Sequence, residues 1–181
     1  METITHLYDT RSEALAAVSD LEAAGIPSSE ISIVNGRADA TTVGKTNGAG
    51  TGAEVGATVG GAAGLLAGVG IMAIPGLGPI VAAGWLASTI AGLVAGGAAG
   101  GIIGALTTAG VDKNYAHVYA EGVRRGGSLV TVRVATDRAA TVRDVLARHR
   151  PVDPMLRDKE YRRSGWTGFD DKGGPFVPPL L

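Results

Sequence analysis

The chain has 181 residues, 29 of them glycine, with 45% hydrophobic, 4% aromatic and 18% charged residues, where an average globular chain has about 25% charged. A net charge of −1 excludes a binder that holds nucleic acid by bulk positive potential, so no nucleic-acid partner is expected. The absence of cysteine excludes disulfides, zinc–thiolate sites, iron–sulfur clusters and cysteine nucleophiles.

Residues Thr3 to Tyr8 form a short β-prone run. Thr10-Arg11-Ser12-Glu13 has the capping-box form, in which the hydroxyl accepts from the third residue's N–H and the glutamate returns a bond. Ala14, Leu15, Val18 and Leu21 follow at helical spacing, and Gly25 marks the stop. Ile31 to Asn35 is predicted as a second strand ended by Asn35-Gly36, so residues 1–36 read as β-α-β, with a polar linker over 37–54.

Between Glu54 and Asp112 lie 57 residues with no charge, 16 of them glycine. Residues 1–54 carry a balance of −5 and residues 112–181 one of +4. So long an uncharged run is expected to be hidden in a bilayer or a protein assembly. Pro75, Gly76, Gly78 and Pro79 interrupt it and predict a hairpin turn. The arm Val55 to Ile74 has 20 residues, about 30 Å as a helix, which matches the hydrocarbon core of a bilayer. The arm Ile80 to Leu106 has 27 residues and is long enough to span with tilt. Glycine costs roughly 1 kcal/mol per helical position relative to alanine, but its spacing here answers that objection. Gly56, Gly60, Gly64 and Gly68 on the first arm, and Gly84, Ser88, Gly92, Gly96, Gly100 and Gly104 on the second, recur every four residues. That spacing stacks small residues on one helix face, where two backbones pack closely. Residues 55–111 are therefore predicted as a glycine-zipper helical hairpin, transmembrane and driving a homo-oligomer. Alanine and glycine dilute its hydropathy and Trp85 stands alone, so the alternative is a soluble oligomer with the hairpins in a shared core.

Asp112 is predicted to cap a helix carrying Tyr115, Val118, Tyr119 and Val123 and ended by Gly126-Gly127. From Leu129 to Ala135, Val130, Val132 and Val134 alternate with Thr131 and Arg133, the strongest strand pattern in the chain. Asp137 is expected to cap a further helix with Ala139, Val142, Val145 and Leu146 on one face, and an edge strand is expected near Val152. Residues 112–155 thus read as α-β-α-β, followed by an extended tail over 156–181. Neither flank can bury a core alone. Together they predict one small α+β domain, split by the hairpin, with helices on one face of a sheet and opposite flank charges favouring their meeting.

Leu7-Tyr8-Asp9 with a Glu13-Ala14-Leu15 helix, the Ile31-Ser32-Ile33-Val34 strand, the uncharged glycine-rich middle, and Tyr119-Ala120-Glu121-Gly122-Val123-Arg124-Arg125-Gly126-Gly127 before a valine strand resemble the general stress protein (YflT-like) family over roughly residues 3–152. The resemblance implies a ferredoxin-like domain, often interrupted by a glycine-rich membrane hairpin, in bacterial proteins associated with stress. It supplies no catalytic residues.

Candidate chemistry is sparse. Gly44-Lys45-Thr46 resembles the end of a phosphate loop, but Asp39 stands where the first glycine is required. Gly48-Ala49-Gly50-Thr51-Gly52-Ala53 fits a dinucleotide fingerprint loosely and follows a linker rather than a strand. His6, His117 and His149 lack metal-ligand spacing, and no serine has a nucleophile-elbow context. Catalytic, cofactor-binding and metal residues are therefore expected to be none, and the chain is not expected to be an enzyme. Arg124, Arg125, Arg162 and Arg163, with Trp166 and Phe169, are candidates for contact with anionic lipid headgroups or a protein partner. The tail, ending Phe176-Val177-Pro178-Pro179-Leu180-Leu181, is expected either to pack back on an exposed sheet face or to dock on a neighbouring subunit or another protein. Glu2, Asp9, Arg11 and Glu13 interrupt any apolar start, so no signal segment is expected. The basic residues after the second arm place both flanks on the cytoplasmic side of a bacterial inner membrane. The expected function is a non-enzymatic, stress-associated membrane protein, self-associated through its hairpin. The alternatives are a soluble cytoplasmic scaffold whose tail recruits a partner and, on fold analogy, a small-ligand sensor.

Overall fold

The computed structural model describes residues 1–36, 70–74, 78–95 and 101–170. Strand β1 (Glu2–Tyr8) leads into helix α1 (Arg11–Ala23). Thr10 caps that helix by accepting from the Glu13 N–H, while its own hydroxyl donates to Glu13 Oε2 at 2.7 Å. The glutamate thus engages the cap's side chain. Gly25, at φ +79°, turns the chain toward β2 (Ile31–Asn35).

β5 (Ser128–Val134) lies between β1 and β2 and runs antiparallel to both, so that Ser128 is opposite Tyr8 on one side and Asn35 on the other. β1, α1 and β2 form a split β-α-β unit closed by a strand nearly a hundred residues later. The two flanks share one sheet. Charge follows the same division: Glu2 pairs with Arg143, Asp9 with Arg157 and Asp20 with His149. Each exposed pair is worth about 0–1 kcal/mol.

Between the flanks, β3 (Gly70–Ile74) and β4 (Gly78–Gly84) extend this sheet to the order β1-β5-β2-β4-β3, antiparallel throughout. Helices α2 (Trp85–Ala95) and α3 (Gly101–Thr108) follow, then α4 (Lys113–Arg124), capped by Asp112, which accepts from the Asn114 N–H. After β5 come α5 (Ala139–Ala147) and α6 (Pro154–Arg163).

Helices cover both faces of the sheet, where one covered face was expected. The reason is visible in β5, whose two faces are both buried: Val130, Val132 and Val134 on one, Leu129 and Thr131 on the other. A sheet buried on two sides needs two helical layers. The valine face, with Ile4, Tyr8, Ile31 and Ile33, receives α1 and α5 through Val18, Leu21, Val142 and Leu146. The Leu7, Val34 and Leu129 face receives α2, α3 and α4 through Leu86, Ile90, Ile102, Leu106, Ala120 and Val123.

The pair of long helical arms is corrected. Ile71 to Ile74, at the end of the first arm, are strand, and the second arm divides into strand β4, helix α2 and, beyond residues 96–100, helix α3. The edge of β2 explains the change. β4 supplies its hydrogen-bonding neighbour, with Ser32 opposite Gly84 and Asn35 opposite Val81, and an unpaired strand edge is costly. Gly78 and Pro79 belong to β4, opposite Ile74 and Ala73, and Pro79 lies beyond the stretch paired with β2, so its missing N–H removes no bond there. Gly84 ends β4 at φ +90° and is no helix-packing position. Ser88 is exposed on α2, its hydroxyl donating to the Trp85 carbonyl. Gly104 does face a neighbouring helix, since a Cβ there would sit 3.4 Å from Leu93 Cδ1 of α2. Gly92 lies within α2. Gly56, Gly60, Gly64, Gly68, Gly96, Gly100, Pro75 and Gly76 lie outside the described residues. Among the described residues no helix is long and apolar enough to cross a membrane.

Three further expectations fail for local reasons. Val152 belongs to no strand, although its N–H donates to the Leu7 carbonyl at 2.8 Å. The segment after it is helical where an extended tail was expected, because Asp153 caps α6 by accepting from the Met155 and Leu156 N–H groups, with Pro154 in the first turn. Asp137 sits in a short 3-10 turn and makes no cap. Asp153→Ala removes both bonds that start α6 and is expected to cost about 1 kcal/mol, read from the urea-denaturation midpoint. An unchanged midpoint would mean that side-chain docking alone holds α6.

Candidate functional site

Two features gather the polar and aromatic groups that carry chemistry. The first is at the C-terminal end of α4. Glu121 has an exposure of 0%, because α4 turns the face carrying it inward against α6. Its carboxylate is held by neighbours one turn on: Arg124 donates through Nε and Nη2 at 2.7 Å each, and Arg125 through Nε at 2.6 Å. Two guanidinium groups around one carboxylate supply the charge-assisted bonds that a buried acid requires.

From this node contacts run outward to α6. The Arg125 guanidinium lies 4.2 Å from the centre of the Tyr161 ring, and Trp166 meets that ring edge-on at 5.6 Å. Such cation–ring and edge-to-face geometries are each worth about 0.5–1.5 kcal/mol. Arg157 of α6 donates to Asp9 at 2.8 Å. Asp170 lies close enough to raise the pKa of Arg124, after the larger effect of its bond to Glu121. Of the candidate residues, Arg124, Arg125, Trp166 and Phe169 are thus drawn into the domain: Phe169 enters the core and Trp166 packs beside it. This part of the tail joins the core that the α2–α4 layer forms with the Leu7, Val34 and Leu129 face of the sheet. Arg162 pairs with Asp158 at 2.7 Å and lies over Trp166, while Arg163 is exposed at the end of α6.

The second feature is an open depression of about 390 Å³ along the outer edge of β1. His6, Tyr115, Tyr119 and residues Pro151 to Met155 line it. The Tyr119 hydroxyl donates to the Thr5 carbonyl, and with the Val152–Leu7 bond it satisfies two outward-facing carbonyls of this edge strand. Burial pushes the Tyr119 pKa up to about 12, keeping it a donor across the physiological range. Tyr115, Met155 and the adjacent Leu156 remain exposed.

Burial lowers the pKa of His6. The folded chain therefore favours neutral imidazole, whereas the unfolded chain takes up a proton near pH 6.5. The stability associated with His6 is complete above that pH and is lost as pH falls through the lowered folded value. His6→Gln is expected to reduce the fall in Tm between pH 7 and pH 5. His117, lowered by burial and by Lys113, acts equally in both proteins, so the difference isolates His6. Parallel Tm–pH curves would refute the assignment.

Glu121 and Tyr161 were not singled out from the sequence, although the spacing of Glu121 to Arg124 and Arg125, three and four residues on, is the signal for a helical ion pair. Among the described residues no group of three or more metal-ligating side chains converges. No family model, curated protein or solved structure matches the chain.

Proposed function

We propose that the chain is a non-enzymatic bacterial scaffold, associated with stress, that self-associates through the glycine-rich segment 55–69. The observation that carries this reading is where the second half of the uncharged run goes. Leu86, Ile90 and Leu106 have exposures of 0%, and Ile102 one of 1%, all inside the domain's own core. Removing them to a bilayer would strip the Leu7–Val34–Leu129 face of the sheet. The longest uncharged stretch outside the described residues is then 55–69, 15 residues, with Gly56, Gly60, Gly64 and Gly68 at four-residue spacing. A helix of that length measures about 22 Å, short of the ~30 Å of a bilayer core, but it suits close helix–helix association. The resemblance to the general stress protein family supplies the link to stress. A role without catalysis is supported by the engagement of the buried Glu121 carboxylate with two arginines.

A membrane-anchored form of the same protein is the second reading, favoured by the uninterrupted lack of charge from Val55 to Val111. The test is partition of the full chain after an alkaline carbonate wash of bacterial membranes, followed by sedimentation. A soluble, discrete oligomer is expected, which Gly60→Leu with Gly64→Leu converts to smaller species. Retention in the pellet until detergent is added would overturn the scaffold in favour of the anchor.

A further inference from the structure

We propose that the depression along β1 is the seat of the chain's own segment Phe176–Leu181, docked within the same molecule. Aromatic and proline side chains dominate the site: Tyr115 and Tyr119 of α4, His6 of β1, and Pro151 and Pro154 of the strap before α6. Its rim is open, with Met155 at 58% and Tyr115 at 38% exposure, and carries one carboxylate, Asp153. Aromatic-lined grooves of this kind take extended, proline-rich chains, because a segment already restricted in φ loses little entropy on binding. Phe176-Val177-Pro178-Pro179-Leu180-Leu181 has that chemistry, with four large apolar side chains around two prolines and no charge.

Reach decides between this occupant and others. The last described residue, Asp170, lies beside Arg124 at the C-terminal end of α4. From Arg124 back to Tyr115 the helix rises about 13.5 Å at ~1.5 Å per residue. The connector Asp171-Lys172-Gly173-Gly174-Pro175 spans up to about 17 Å at ~3.4 Å per residue. Its two glycines permit the change of direction. Tethering at this distance gives an effective concentration in the millimolar range, so the segment fills the groove even if its affinity as a free peptide is weak. The Tyr119–Thr5 and Val152–Leu7 bonds already engage two of the carbonyls that a strand added at the β1 edge would pair with, which favours a segment recognised by its side chains.

The experiment uses the full chain with Phe176 replaced by the photoreactive p-benzoylphenylalanine, prepared in light and heavy isotopic forms, unfolded and refolded together so that any oligomer holds both forms, and then irradiated. Crosslinks to the peptides carrying Tyr115 or Met155, within single light or single heavy chains, are the expected result. Met155→Glu places a charge on the exposed rim, leaves the core untouched, and is expected to lower that crosslink yield at least fivefold. Mixed light–heavy crosslinks at the groove would make a second copy the donor and overturn docking within one molecule. Crosslinks elsewhere, or yields unchanged by Met155→Glu, would overturn the groove as the seat. None of these outcomes depends on how the chain self-associates.

Discussion

Gly84→Ala is expected to destabilise the fold by about 3 kcal/mol. Gly84 closes β4 at φ +90°, a left-handed conformation that costs an alanine about 1–2 kcal/mol. A Cβ at this position would also stand 2.3 Å from the Ile31 carbonyl oxygen and 2.7 Å from the Ser32 Cα. Those are backbone atoms of the paired strand, so relief requires moving β4 away from β2, which adds about 1–3 kcal/mol. The sign is what makes the substitution decisive. Were Gly84 within a long helix, alanine would carry no left-handed strain and, at a position open to solvent, would stabilise the helix by up to about 1 kcal/mol. Urea denaturation of the two proteins distinguishes the cases, and a midpoint that rises would refute the β4 assignment.

Glu121→Gln is expected to cost about 2–3 kcal/mol with little change of shape. The amide would turn donor N–H groups toward Arg124 and Arg125, which are themselves donors only, and a buried polar group would lose partners. The side chains of Arg124 and Arg125 are 21% and 26% exposed, so solvent relieves them in part and holds the cost below that of a fully buried pair. The loss is local: Arg125 loses the carboxylate that positions it over Tyr161, and Trp166 packs against that same ring. Hydrogen exchange over 154–170 is expected to accelerate while the sheet stays protected. Uniform acceleration across the sheet would show that the node supports the whole domain.

How far these features were legible varies with the physical signal each leaves in the chain. α1 and α4 announce themselves through Thr10 and Asp112, whose side chains cap them as read. β5 shows its period in Val130, Val132 and Val134, although burial of its second face is not visible until the α2–α4 layer is in place. β3 and β4 carry no polar residue from Gly70 to Ile74 or from Gly78 to Gly84, so neither a period of two nor one of 3.6 is marked. Four-residue spacing through Gly84 and Ser88 then crosses a strand–helix boundary by coincidence. α6 is the opposite case: Met155 and Leu156 are exposed and Tyr161 is buried, so only the Asp153-Pro154 start betrays it. Arg124 and Arg125 were legible as a basic pair, but their purpose was not, because Tyr161 reaches them only through tertiary packing. For the depression the sequence marks the proline-rich hexapeptide, whereas the side chains around the β1 edge converge only when α4 and α6 are docked.

The position of β5 has a consequence for the birth of the molecule. β1 and β2 have no ladder between them until the strand ending at Val134 emerges from the ribosome. At about 5–20 residues per second, roughly a hundred residues separate Asn35 from that moment, a delay of about 5–20 s. In the last part of it, the roughly 20 residues between Val111 and Val134, the whole uncharged, glycine-rich stretch is outside the exit tunnel for about 1–5 s with no completed sheet to receive Leu86, Ile90 or Leu106. Newborn chains on neighbouring ribosomes of one message are then close enough for their glycine-rich stretches to meet. A chain that self-associates through this stretch would therefore choose its partners during translation, among siblings from the same message, and a holdase chaperone would compete for the same interval.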